Sequence, residues 1–140
     1  TITMAKLILK SKESILPNVS NRLVGIFQPH RYSRTRDLMS DFAISLGKVD
    51  LLFLAPIYGA GENPIKEINI QTLKSCILKI YPELQIITAD NFTQLETVLK
   101  ENTQPSDLLL IMGAGDITKL SDSLKYQGLK QECKIETNAA

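Results

Sequence analysis

Hydrophobic positions along this chain follow two rhythms in alternation. Short, largely apolar runs occur at residues 23–27, 49–55, 84–88 and 108–112. Runs of this length, bounded by glycine, proline and asparagine, predict strands covered on both faces. Between them the apolar residues recur at helical spacing. Leu38, Phe42 and Leu46, with Met39 and Ala43 beside them, predict a helix over 38–46, with Asp37 in its first turn and Gly47 at its end. Leu73, Ile77 and Ile80 predict a second helix, capped by Asn69 and stopped at Tyr81-Pro82. Leu95, Val98 and Leu99 predict a third, opened by an Asn91/Gln94 capping box. Leu120 and Leu124 predict a fourth, starting near Ile117 and stopped by Gly128. Ahead of all these, Met4, Leu7 and Ile8 have helical spacing within residues 3–16, and Pro17 ends that run.

Strand and helix in strict alternation predict an α/β domain, three-layer and Rossmann-like, with a mostly parallel sheet and right-handed crossovers. The expected strand order is 3-2-1-4, with helices on both faces. The fourth strand then returns past the first and creates a switch point beside the turn that follows strand one. Residues 1–128 are expected to form one domain and 129–140 a loose tail.

Three loops leave carboxyl strand ends and so gather on one sheet edge. The first is Gln28-Pro29-His30-Arg31-Tyr32-Ser33-Arg34-Thr35-Arg36-Asp37, which holds three arginines, the sole histidine and a tyrosine. Guanidinium forks beside a helix start suit a carboxylate or phosphate. Taken by themselves, these residues read equally well as a solvated basic loop. The second loop, 56–64, offers Tyr58, Glu62 and flexible glycines. With Ile57 as its one apolar anchor, it is expected to be among the more mobile parts. Glu62 near Lys66 reads most simply as a surface pair. The third loop is Gly113-Ala114-Gly115-Asp116, where Asp116 is most simply an N-cap. Arg31 and Arg34 have little core to occupy and are expected to stand unpaired or loosely paired, whereas Arg36 is expected to pair on the surface.

Composition narrows the possibilities. The chain has 140 residues, 44% of them hydrophobic, and a formal charge of +1. Its basic character is therefore local, and RNA binding through Arg31, Arg34 and Arg36 is weakly supported, with no repeated aromatic platform beside them. No apolar run is long enough to span a membrane. One histidine and two well-separated cysteines, Cys76 and Cys133, make no metal site. Cys76 reads as a small core residue, and a reduced, cytoplasmic setting is expected. There is no catalytic triad and no P-loop; Gly47-Lys48 lacks the glycine spacing.

The stretch 27–37 closely resembles the C-terminal domain of the Mur ligases. Two further segments match in order and spacing: Ile57-Tyr58-Gly59-Ala60-Gly61-Glu62-Asn63-Pro64-Ile65 and Met112-Gly113-Ala114-Gly115-Asp116-Ile117. Together they cover residues 23–121. Within the family, the resemblance is to the branch that joins L-alanine to UDP-N-acetylmuramate. It implies an ATP- and Mg2+-dependent ligase of peptidoglycan precursor synthesis, acting through an acyl phosphate, with ATP and the metal bound mainly by other domains. It implies substrate binding by Arg31 and Arg34, with His30 and Tyr32 in the same motif, and places Tyr58, Glu62, Gly113, Gly115 and Asp116 in the site loops. The family's Asp-Tyr-x-His-His-Pro segment has no counterpart here. With a threonine at position 1, the chain is expected to be a piece that starts just after that segment, without the N-terminal and central domains, and to be inactive alone. The alternative is a free-standing anion- or nucleotide-binding regulatory module.

Overall fold

The structure, a computed structural model, describes residues 22–124. The predicted helix within 3–16, Cys133, Gly128 and the tail lie outside them. Four parallel strands form one sheet in the order β3-β2-β1-β4. They are β1 (Leu23–Gln28), β2 (Leu51–Leu54), β3 (Gln85–Thr88) and β4 (Leu108–Gly113). The expected order and the switch point between β1 and β4 are therefore both present. In register, β1 pairs Val24 with Leu51 on one side and with Leu109 on the other.

Alternation along the strands divides the core into two apolar layers. Leu23, Phe27, Leu52 and Leu54 face α2 (Met39–Leu46) and α3 (Ile70–Ile80), where Ala43, Leu46, Leu73 and Ile77 are buried. Val24, Ile26, Leu51 and Phe53 face the opposite way. There they meet Leu95 and Leu99 of α4 (Phe92–Asn102), and Ile117 and Leu120 of a last helix, α5, over residues 117–124. Burying each of these large side chains is worth about 1.5–3 kcal/mol, which is why the helices sit on the sheet despite ordinary propensities. The result is the three-layer α/β arrangement expected, with Cys76 partly buried against the first layer.

Some local expectations are corrected. The helix read over 38–46 is present as α2, but the turn read before it is itself helical: α1 (Tyr32–Asp37) precedes α2, with a break at Leu38. Helix begins a turn early because the Arg31 carbonyl accepts both the Thr35 amide (3.1 Å) and the Thr35 hydroxyl (2.7 Å). Asp37 thus ends α1 and does not open the next helix, where Asp41 is the first-turn acid. Ile80, expected inward, is 48% exposed. Tyr81 takes its place: its ring lies where a Gly47 Cβ would be, and its hydroxyl donates to Ile44 O at 3.0 Å. The caps stand as read. Asn69 accepts from Thr72 N at 2.9 Å, and Asn91 from Gln94 N at 2.8 Å. Gln94 reaches back to Asp90 N, one residue before the cap. Far from the loop edge, Arg22 at the foot of β1 forms a forked ion pair with Asp107, a carboxylate of 0% exposure ahead of β4.

Candidate functional site

The loops after β1, β2 and β4 converge on Tyr58. Its amide donates to Pro29 O at 2.9 Å, and its carbonyl accepts from Arg31 N at 2.7 Å, so the first two loops run briefly as parallel strands. The Tyr58 ring stacks on His30 with centroids 5.6 Å apart and planes at 22°. The third loop meets the same ring: a Cβ at Gly115 would lie 2.7 Å from it. Gly115 has φ +97°, and Gly113 has φ +138° with the Gln28 carbonyl 2.6 Å from where its Cβ would stand. Both glycines are thus required by backbone conformation and by close approach.

Glu62 ties the second loop to the first. Its carboxylate accepts from Ser33 Oγ at 2.5 Å and Ser33 N at 3.0 Å, not from Lys66. The Ser33 hydroxyl, then the Ser33 amide, hold its pKa below the ordinary glutamate range, and Arg31 adds to this. The loop thus has anchors besides Ile57, in Glu62 and Tyr58.

Arg31 carries the strain of this junction. It has φ +66° and ψ 140°, a conformation that costs a residue with a side chain about 1–3 kcal/mol. Hydrogen bonds on either side, to Tyr58 and Thr35, hold it there. Its guanidinium and that of Arg34 are exposed and make no hydrogen bond or ion pair with any described residue. Arg36 pairs with Asp37 at 2.9 Å on the surface, as expected.

Five of the predicted residues divide among three clefts. His30, Arg34 and Gly113 share one of about 320 Å³ at the β1/β4 switch point, walled by Phe27 and Phe42. Tyr32 faces a second of about 350 Å³ at the ends of β2 and β3, beside Ile57, Asn69 and Asp90. Asp116 turns away to a third, with Phe92 and Glu96, and pairs with Lys119 at 3.3 Å. It does not cap α5. Gln28 does so, accepting from Ile117 N at 2.9 Å. Gln28 and Thr35, the two buried polar residues among those described, were missed as organisers of the site. A strand-end glutamine gives no signal for this, because its partner is 89 residues away. No group of three or more His, Cys, Asp or Glu suited to a metal occurs among the described residues. None of the described helices is long and apolar enough to cross a membrane.

No family model matches the chain. Among curated proteins, it is 54% identical over 124 residues to a UDP-N-acetylmuramate–L-alanine ligase of Prochlorococcus marinus, covering 89% of this chain and 26% of that protein. A second ligase of the same name, from a Synechococcus strain, is 45% identical over 132 residues, covering 94% of the chain and 27% of the protein. Nearly all of this chain is thus similar to ligases of that name, and it spans about a quarter of the length of the curated relatives it matches. Among solved structures, it is similar to a domain of a ligase named for UDP-N-acetylmuramate and L-alanyl-gamma-D-glutamyl-diaminopimelate, from Haemophilus ducreyi. That likeness has 19% identity and a TM-score of 0.49, and covers 89% of this chain and 80% of the other. The α/β assignment rests on the sheet topology itself.

Proposed function

We propose that this chain is the C-terminal domain of a UDP-N-acetylmuramate–L-alanine ligase, and that its loop edge closes over substrates held by other domains. The observation that carries this is the 54% identity to a ligase of that name along 89% of the chain. The geometry agrees with it. Arg31 and Arg34 present two guanidinium groups at the loop edge without hydrogen-bond or ion-pair partners among the described residues, ready for the carboxylates and phosphates of such a reaction. His30, stacked on Tyr58, forms one wall of the cleft that Arg34 enters. Tyr32 serves the neighbouring cleft.

In that reaction ATP phosphorylates the lactyl carboxylate, ADP leaves, and the alanine amine displaces phosphate to form the amide. On this reading ATP and Mg2+ are held mainly by other parts of the protein, as the resemblance to the Mur ligases implies, and the sequence given carries no P-loop pattern. What this chain supplies is fixed positive charge and exclusion of water from a hydrolysable intermediate. Relatives at this identity share the ligase name, which favours this reading over a free-standing regulatory module.

The test is expression of the complete reading frame, followed by assay with UDP-N-acetylmuramate, L-alanine, ATP and Mg2+. Amide product with L-alanine preferred is expected. Absence of amide product from a folded, ATP-binding protein overturns the reading.

A further inference from the structure

Gln28 closes β1 and is 2% exposed. Its Nε2 donates to Pro56 O at 3.1 Å, and its Oε1 accepts from Ile117 N at 2.9 Å. The amide therefore joins the loop after β2 to the start of α5. Turned end for end, it would set carbonyl against carbonyl and N–H against N–H, so the two partners define one orientation. An apolar side chain there would leave the first N–H of α5 and a loop carbonyl without their partner. The same residue forms part of the cleft that holds His30 and Arg34. On either side of it lie the elements that touch across Tyr58 and Gly115.

We propose that Gln28 is a positioning residue. Its side-chain amide sets the separation between the Tyr58 loop and the Gly113–Gly115 turn, and so the width of the cleft that Arg34 enters. The cross-link is independent of the reaction; its effect on ligation rests on the reading under Proposed function. A glutamate in its place reproduces both hydrogen bonds only when protonated. Ionised, it turns a carboxylate oxygen toward the Pro56 carbonyl. Burial and that carbonyl disfavour the ionised form, whereas the Ile117 N–H, the start of α5 and the neighbouring Arg34 and His30 favour it, so the pH of the exchange is read from the profile itself.

The experiment compares Gln28→Glu and Gln28→Met with wild type in the full-length ligase. It is run well below every melting midpoint, with circular dichroism to confirm folding. Gln28→Glu is expected to keep kcat/KM near wild type at low pH and to lose about tenfold relative to wild type as pH rises through its carboxyl pKa. Gln28→Met is expected to lose about tenfold at every pH, with KM for ATP unchanged. A Gln28→Glu to wild-type ratio that is flat and near one across pH overturns the proposal, whether or not Gln28→Met folds. If the wild-type enzyme makes no amide, the ligase reading fails. The cross-link is then judged in this chain by amide exchange at Ile117 and Tyr58. Faster exchange in Gln28→Glu at high pH supports it, and unchanged exchange overturns it.

Discussion

Arg31 and Arg34 differ from Arg36 in one respect that matters: Arg36 has Asp37, and they have no ion-pair partner among the described residues. If the proposed function holds, replacing either with alanine in the full-length protein is expected to remove a charge-assisted substrate contact worth about 2–4 kcal/mol, roughly a 30- to 1000-fold loss of kcat/KM. Arg36→Ala is expected to do far less. Steady-state kinetics of the three variants, with thermal melts as a folding control, check this ordering. Near-normal turnover in the Arg31 and Arg34 variants with failure of the Arg36 variant refutes it. Glu62 makes a second residue-level prediction. Its folded acidity is strengthened by Ser33, so it binds its proton less readily folded than unfolded. The tether therefore adds stability at pH values above the ordinary glutamate value of about 4.3, and this contribution is lost as pH falls through the lower folded value. Thermal melts of wild type and Glu62→Gln should differ near neutrality and converge in acid; a constant gap across pH rules out the linkage.

At the level of elements, the foot of the sheet and its loop edge are held by different means. The Asp107 carboxylate is covered from solvent, accepts from Arg22 through both oxygens, and also takes the Gln104 amide at 2.7 Å. Asp107→Asn should cost about 1–3 kcal/mol in denaturant unfolding and leave substrate binding by the full enzyme unchanged. Gly113→Ala, at the other end of β4, meets the Gln28 carbonyl and a disfavoured φ together. It should lower both stability and activity. The strands were legible in the sequence because apolar runs of about five to seven residues between turn residues have few other uses. Their ends were not: Val49 packs in the core but precedes β2, which starts at Leu51. The break at Leu38 was hidden for a similar reason. Periodicity registers which face is buried, and the Thr35 hydroxyl that starts α1 early leaves no periodic trace.

For the whole molecule, the chain by itself is expected to show neither ATP hydrolysis nor amide formation, because its sequence contains no P-loop. A coupled ADP-release assay on the purified 140-residue chain measures this; turnover free of contaminating enzyme refutes it. Topology was legible because alternation and short connections leave few arrangements, and the switch point follows from strand order. Within the site, the convergence of three loops on one edge followed from that order, and the arginine run announced itself by charge. The hydrogen bonds of Gln28 and Glu62, and the turning away of Asp116, were not legible. They depend on distances between loops, which no local pattern encodes. The Gln28–Ile117 contact spans 89 residues, and that span has a consequence for synthesis. While a ribosome is still making β4, the arginine motif is already long exposed, yet the partner that aligns it does not exist. The site is thus among the last things the domain acquires. A nascent or clipped product ending before α5 carries every arginine of the motif and lacks the Ile117 amide that holds Gln28 beside them.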